Sequence, residues 1–474
     1  MDPIEIEADV LVVGGGLAGC WAAIRASDCS IPVVLVDKAR VSRSGASTFA
    51  AGVMLAPQAE DDLAAWREEI VKAGDYLNDQ DWVDVLLKEQ VERIDDMARW
   101  GFPFERDDGG RLIRTVGRGH HNSRILMFHG KKPMEQMRRQ CLKRGVRLLE
   151  RIMVTDILTS DGKHPTQGRV VGALGVHTRT GQTYLFKCKA LVMAAGAVGV
   201  RKGCGFVDNV SGDGVAAAFR AGAQLTGMEF CVCTNIAVWQ RKYMAGGINM
   251  IQGSGARIVN ARGERFMEKY DPVLLERART HVLGKAFAKE VLEGRGPIYV
   301  DMRHFPSEVF DRFRRVIPKT MQVFDAAGID PSKEMVECTP SVGCPASWSC
   351  NGGIRVSLQC ETTLPGLLAA GSCTKALPHG TYAVGGLNLA YCCVSGHRAG
   401  DRAAQLASVV TYGEPDGGQV GVLLKETLGS LDRKEGPKPD ELTERIRSIT
   451  TPAQHSFFKH EKRIRQVIDQ LDEI

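Results

Sequence analysis

Residues 9–13 (DVLVV) form a largely apolar run that ends in glycines. Residues 17–27 then carry helical spacing, and residues 33–37 (VVLVD) form a second apolar run. Apolar runs of this length without alternation predict strands buried on both faces, here joined through a helix as a parallel βαβ unit. Residues 60–101 set Leu63, Trp66, Ile70 and Val71, then Val83, Leu86, Leu87, Val91 and Ile94, on one helical face. Residues 105–124 are polar and glycine-bearing, which predicts a loop, and residues 133–144 predict a basic helix. Residues 147–158 and 169–188 alternate as strands of an antiparallel sheet do, and residues 190–194 (ALVMA) predict one more buried strand. A helix opening on GDG is expected over 212–222, mixed short elements over 230–345, strands over 353–371, and a helix of small residues over 385–407. Residues 413–440 hold Gly413, Pro415, Gly417, Gly418, Gly436, Pro437 and Pro439 and predict a hydrophilic linker. Residues 441–474 predict a charged helix. No internal repeat or low-complexity segment interrupts this order.

A chain of 474 residues with 44% hydrophobic and 25% charged positions is long enough for several packed units. The net charge of +5 is small for this length, and no Lys/Arg run is dense enough to argue for nucleic acid. The cluster Arg312, Arg314 and Arg315 fits a solvated helix face. Apolar stretches such as residues 190–200 are half a membrane span, and the first residues lack the pattern of a secretory leader, so a cytoplasmic protein is expected. The 14 cysteines then predict reduced thiols. Their spacings fit neither a zinc site nor a ferredoxin cluster, so no metal site is predicted; they read as buried thiols, with a reactive thiol or an unusual ligand as the alternative.

Gly14-x-Gly16-x-x-Gly19 stands between a predicted strand and a predicted helix, and Asp37 ends the next strand 23 residues after Gly14. The first glycine allows the tight turn, the second lets backbone approach a pyrophosphate, and the third lets helix and strand pack closely. The acid is placed to reach a ribose hydroxyl. Dinucleotide binding follows, against the alternative of a glycine-rich turn without a ligand.

Four further segments carry a family resemblance. They are RSGASTFAAG (43–52), SGDGVAAAFRAGAQLTGMEF (211–230), GARIVNARGERFMEKYDP (255–272) and ETTLPGLLAAG (361–371). In this order they resemble the flavoproteins of succinate dehydrogenase and fumarate reductase. The resemblance implies an α/β fold: a doubly wound, Rossmann-like FAD-binding domain with an inserted α+β capping domain and a short C-terminal helical segment. The expected boundaries are 1–230 and 346–410 for the FAD-binding domain, 231–345 for the cap, and 411–474 for the linker and helical end. The implied cofactor is FAD, and the implied contacts are Gly14, Gly16, Gly19, Asp37, Lys38, Ser44, Ser47, Gly52, Ala195, Gly196, Asp213, Asn388 and Leu389. In the respiratory relatives a histidine bonds covalently to the flavin; the matching position here is Gly45, which implies non-covalent FAD.

The dicarboxylate machinery of that family is not matched. Its histidines fall on Thr234 and Trp348, its arginine–glutamate–arginine relay on Gln252, Ser254 and Thr280, and its clamping arginine on Ala383. Two carboxylates in a closed site need cationic partners, so succinate and fumarate are not the expected substrates, and aspartate oxidation is disfavoured on the same ground. The expected catalytic candidates are His281, Arg279, Tyr382, Trp348 and His379, each of which has packing as its alternative role. Thr234, Asn235, Ser349 and Cys350 add neutral polar groups.

Residues 126–134 (LMFHGKKPM) and 297–302 (PIYVDM) resemble the alpha subunit of adenylylsulfate reductase, which implies an iron–sulfur redox partner. The basic group Lys131, Lys132, Arg138 and Arg139 is a candidate docking face or simply a soluble helix face. The expected function is an FAD-dependent oxidoreductase acting on a small molecule, within an oligomer, without nucleic acid or a membrane span. An electron-transfer subunit of a larger complex and chemistry like that of adenylylsulfate reductase are the alternatives.

Overall fold

The computed structural model describes the chain except for residues 1, 50–52, 103, 105, 117–119, 128–130, 200–209, 235, 240–242, 246–247, 340–345, 351, 375, 382–383, 451 and 457. For residues 49, 127, 131–132, the rest of 231–250, 280, 316, 319, 339, 346–350, 376, 432, 453 and 456 it describes the backbone only.

A seven-stranded sheet dominates the described residues. Strand β1 (Ile4–Val13) pairs in parallel with β2 (Val33–Asp37) on one side and, along its whole length, with β8 (Thr183–Met193) on the other. Between them in sequence lie the hairpin strands β3 (Val53–Leu55) and β4 (Ile125–Met127), then β5 (Arg147–Glu150), β6 (Ile152–Thr159) and β7 (Val170–His177). The order is β5-β2-β1-β8. Past β8, the antiparallel pair β7-β6 takes its amino-terminal half, and β9 (Leu367–Ala369) runs parallel to its carboxyl end. The burial patterns of β1 and β8 change character at the same register level, Ala8 opposite Cys188. Their first halves alternate, with one face solvated; their last four residues are buried throughout, because helices cover both faces there.

Helix α1 (Leu17–Asp28) lies in the crossover from β1 to β2. Helices α2 (Leu63–Ala73), α3 (Gln80–Arg99), α4 (Lys131–Lys143) and α5 (Asp213–Ala221) follow, then α6 (Thr280–Leu292), α7 (Leu387–Val409) and α8 (Gly417–Leu428). Helices α1 and α7 pack backbone to backbone. A Cβ on Gly396 would stand 2.4 Å from Ala18 O, and one on Gly400 would stand 2.3 Å from Ala22 O. The small residues read from sequence in this helix are therefore what lets the two axes approach.

A second core lies within residues 251–338 and includes Ile251, Ile258, Phe266, Phe287, Ile298, Val300, Phe313 and Phe324. Its five-stranded antiparallel sheet runs Tyr243–Ala245, Ile236–Trp239, Val336–Thr339, Ile298–Asp301, Arg257–Val259. Under it, the Glu290 carboxylate, side chain fully buried, accepts from Arg295 Nε at 2.6 Å and Nη2 at 2.8 Å, from Asn260 Nδ2 at 2.9 Å and from Tyr270 OH at 2.9 Å.

The structure departs from the sequence reading in six places. The helix expected over 60–101 is two helices, because Asp75 and Tyr76 take left-handed backbone (φ 55° and 61°) after Gly74. The stretch 147–158 splits at Arg151 (φ 66°), and β5 pairs parallel to β2 rather than antiparallel. The separate strand expected over 190–194 is the end of β8. Residues 353–371 are mostly loop, with strands only at Gly353–Ile354 and β9. Residues 413–440 hold α8, capped by Asp416, whose Oδ1 accepts Gln419 N at 2.7 Å; its Leu423 packs on Leu158, Val171, Leu174 and Leu185. The C-terminal helix is three pieces, Pro439–Thr450, Ala453–Ser456 and Glu461–Asp472.

Among the described residues no helix is long and apolar enough to cross a membrane. The described cysteines are free thiols, and all but Cys29 are buried. Burial pushes Cys188 and Cys373 up to about 12, so these thiols are inert at neutral pH. Among the described residues no cluster of His, Cys, Asp or Glu could hold a metal ion.

Burial works to raise the Glu290 carboxyl, but hydrogen bonds from Arg295, Asn260 and Tyr270 win and hold it at about 2, below its ordinary 4.5. A depressed carboxylate stabilises the fold above its unfolded value, and that contribution disappears as pH falls from 4.5 toward 2. Glu290→Ala is expected to cost about 1–3 kcal/mol at neutral pH, since it removes the shared acceptor of Asn260, Tyr270 and Arg295, of which Arg295 keeps Glu293. Urea denaturation of the two proteins checks this; the difference should narrow on acidification.

Candidate functional site

The carboxyl ends of β1, β2 and β8 meet at one edge of the sheet, where open α/β sheets bind ligands. Gly14 (φ 106°) turns the chain there; a Cβ on it would lie 2.4 Å from Ala194 O, at the end of β8. A Cβ on Gly19 would lie 1.8 Å from Gly14 O, so helix and strand touch through backbone. A Cβ on Gly16 would meet only Ser47 Oγ, at 3.6 Å, so the space above the helix start is open. Ser47 Oγ accepts Leu17 N at 3.2 Å.

Asp37 organises the rim. Its Oδ2 accepts Gly15 N at 2.7 Å, and its Oδ1 accepts Ala39 N at 2.7 Å and the Ser44 hydroxyl at 3.3 Å. Next to it Lys38 Nζ donates to Ser211 Oγ at 2.6 Å and to Asp213 Oδ1 at 2.9 Å, which ties the end of β2 to the start of α5. Ala195 and Gly196 follow β8 after the single residue Ala194. Asn388 and Leu389 sit in the first turn of α7, where the Asn388 amide donates to Ser372 Oγ at 3.0 Å. Gly371 lies between α1 and α7: a Cβ on it would stand 2.5 Å from Ala18 Cβ and 3.5 Å from Cys392 Sγ. Twelve of the thirteen expected contacts thus gather at this edge; Gly52 lies outside the described residues.

The helices around this edge start in two ways. The buttressing helices α2, α3 and α8 start on Asp62, Asp79 and Asp416, whose carboxylates accept N–H groups of the first turn. Helices α1, α5 and α7 start on Gly16, Gly212 and Gly386, which have no side chain to cap them. Apart from Leu17 N, which Ser47 accepts, first-turn N–H groups and positive dipole ends are thus left for an anionic or carbonyl-bearing ligand. The cradle above Gly16 and these uncapped starts fit the pyrophosphate and ring of a flavin dinucleotide.

The expected catalytic residues fall in two places. Arg279, the residue before α6, and His281 reach the corner between α2 and α3. Arg279 Nη1 donates to Asp75 Oδ1 at 2.9 Å, His281 Nε2 lies 3.9 Å from Asp75 Oδ2, and the Thr381 hydroxyl donates to Asp75 Oδ2 at 2.9 Å. Burial lowers the His281 pKa and Asp75 works against it. His379 ends the short helix Ala376–His379 and is buried at 1% exposure. Trp348 stands on the strand Ala346–Cys350, paired with Cys231–Thr234, so Thr234, Ser349 and Cys350 share that ribbon; their side chains are not described. Tyr382, Ala383 and Asn235 lie outside the described residues. On the basic helix, Arg138 is paired with Glu150 at 3.2 Å, which reduces its charge as a docking face; the side chains of Lys131 and Lys132 are not described.

Two groups at this edge escaped the sequence reading. Asp75 sits in the predicted unbroken helix, where only the run GDYLND hinted at a corner. The second group is His120 with Ser123 and Glu69: His120 Nδ1 lies 2.6 Å from Ser123 Oγ, and that hydroxyl donates to Glu69 Oε1. The paired histidines of a polar loop were the available signal, but a loop gives no period from which to infer burial.

Comparison with known proteins agrees with the fold and the ligand class. Residues 9–389 match the family model described as FAD binding domain. One subunit of the fumarate reductase (CoM/CoB) of Methanothermobacter marburgensis is 30% identical over 416 residues, 85% of this chain and 73% of that protein. Among solved structures, FrdA of E. coli quinol fumarate reductase superposes with a TM-score of 0.86 at 24% identity, over 99% of this chain and 82% of that one. Adenylylsulfate reductase of Archaeoglobus fulgidus superposes with a TM-score of 0.78 at 19% identity, over 99% and 84%. At these identities the two structures speak for the fold.

Gly19→Ala forces a methyl group against the Gly14 carbonyl and must lift α1 from β1. The variant is expected to hold FAD at least about tenfold more weakly, which is about 1.4 kcal/mol. Fluorescence titration of the apoprotein with FAD checks it.

Proposed function

The chain belongs to the FAD binding domain family, among the flavoproteins of the succinate dehydrogenase and fumarate reductase type, and from that premise we propose that its FAD exchanges two electrons with a small organic substrate that is uncharged or singly charged. FAD supplies the two-electron chemistry when bound. Gly14, Gly16 and Gly19 would cradle its pyrophosphate, and Asp37 would offer its remaining lone pairs to a ribose hydroxyl. Lys38, Ser44, Ser47, Gly52, Ala195, Gly196, Asp213, Asn388 and Leu389 are the further contacts that the family resemblance assigns to it.

The observation that carries the substrate reading is the pairing of Arg279 with Asp75 at 2.9 Å. Arg279 is a cation beside the family's relay position at Thr280, and Asp75 already neutralises it. A dicarboxylate would have to displace Asp75 or enter with its charges uncompensated, and either costs several kcal/mol. His281, Tyr382, His379 and Trp348, the residues that stand at or near the unmatched family positions, are neutral polar or apolar types rather than fixed cations. Electrons then pass to or from an iron–sulfur or similar redox partner, since the sequence holds no second dinucleotide fingerprint for a nicotinamide.

The test is an anaerobic screen of the FAD-loaded chain, read as loss of the flavin's visible absorption. Neutral and monoanionic alcohols, amines and thiols make up the panel, with succinate alongside; the reduced protein is tested separately with fumarate. Some member of the panel should bleach the flavin at least about a hundredfold faster than succinate, the ratio that about 3 kcal/mol of uncompensated charge implies. Bleaching by succinate at the rate of the best compound, or fast reoxidation by fumarate, contradicts the reading.

A further inference from the structure

Helix α5 starts at the dinucleotide edge, where Asp213 holds Lys38, and its other end opens on a groove of about 630 Å³. Its 9 residues, at a rise of about 1.5 Å each, put about 13 Å between the two places. The groove's apolar lining includes Phe219, which is 62% exposed, with Pro165 and Leu225. Its polar lining includes Arg220, Gln224 and Arg355, and among the described residues no Asp or Glu lines it. A volume within about 300–1,000 Å³ suits a small organic molecule.

The three polar side chains are left as donors. Arg355 Nη1 donates to Gln224 Oε1 at 3.2 Å, which orients the amide so that Gln224 Nε2 keeps its hydrogens for a ligand. Among the described residues the Arg355 guanidinium has no carboxylate partner. Arg220 donates to Asp156 Oδ1 from Nε at 3.2 Å and from Nη2 at 2.7 Å, and from Nη2 to Thr155 O at 2.7 Å, so the hydrogens on Nη1 remain. Open carbonyls at the end of α5 would oppose an anion, but Phe219 O accepts Gly222 N and Ala218 O accepts Ala223 N, each at 2.9 Å. Backbone pairing fixes the frame: the strand Leu225–Thr226 pairs with Gly353–Ile354, and Arg355 N donates to Gln224 O at 2.9 Å. Gly222, with φ 107°, turns the chain tightly enough that a Cβ on it would stand 2.9 Å from Pro165 Cβ.

We propose that this groove binds a small aromatic phosphate, with its ring against Phe219 and its charge taken by Arg355, Gln224 Nε2 and Arg220 Nη1. The two halves of the lining call for one occupant. A neutral apolar molecule gains nothing from the guanidinium groups, and a bare ion gains nothing from the exposed ring. A phosphate monoester presents several strong acceptor oxygens to the three donor side chains, and arginine forks match that geometry. Lying a helix length from the dinucleotide edge, the occupant is a second ligand, distinct from the molecule that exchanges electrons with FAD. The site therefore stands apart from the substrate proposed above.

The experiment is calorimetric titration of the full chain with phenyl phosphate, in excess FAD so that the dinucleotide edge is occupied. The wild type should bind the probe at a single site, at least about tenfold more tightly than it binds inorganic phosphate or benzyl alcohol. Arg355 and Phe219 are exposed, so neither substitution disturbs the core. Arg355→Gln removes charge-assisted hydrogen bonds and should weaken phenyl phosphate at least about tenfold. Phe219→Ala should bring phenyl phosphate to the affinity of inorganic phosphate. Absence of saturable binding by the wild type overturns the proposal. Inorganic phosphate or benzyl alcohol binding as tightly as phenyl phosphate does so too. Affinity for phenyl phosphate that is unchanged in either variant places the binding elsewhere and also overturns it.

Discussion

Backbone contact between α1 and α7 is the constraint from which the site follows. Glycines at 396 and 400 let α7 lie on Ala18 and Ala22, and Gly19 lets α1 lie on Gly14. Because these elements meet through backbone, two helix starts, at Gly16 and Gly386, arrive at the same edge of the sheet. Neither glycine can cap its own helix, and the N–H groups left over are what a dinucleotide with an anionic middle and a carbonyl-bearing ring requires. A larger residue at any of these glycines would cost the packing and the ligand together.

The second unit, within residues 236–339, meets this framework through charge. Arg279 and His281 come from it, and Asp75, with Thr381 bonded to it, comes from the sheet side. Asp75 is presented by a left-handed corner that buried Asn78 holds in place, with its amide donating to Pro378 O at 2.9 Å. The pairing is half exposed and worth little as stability. Its importance is electrostatic: Asp75 neutralises the cation of Arg279, so that cation is not free for an anionic ligand.

Much of the fold was legible because period and glycine placement encode it directly. The unalternating runs at 9–13 and 33–37 could only be interior parallel strands, and Gly14, Gly16, Gly19 and Asp37 then marked the ligand edge. What escaped notice depended on residues far apart in sequence. The corner at Asp75 breaks a helical apolar period without a proline, and it is stable only because residues 377–381 pack against it. His120 is tied through Ser123 to Glu69, 51 positions earlier, and packs beside Gly385, which no local pattern connects. Helix α8 hid in a glycine- and proline-bearing stretch because two glycines open it and Asp416 caps it.

The central claim is a flavin dinucleotide held by backbone groups at helix starts, with no covalent bond, as the family resemblance implies from the match of Gly45 to the flavin-linked histidine. The most direct measurement is the visible absorption of the purified protein, repeated on the supernatant after acid precipitation. Flavin colour that leaves the pellet and is recovered as intact FAD is the predicted result. Colour retained in the pellet, or a colourless protein that takes up no added FAD, would contradict the account.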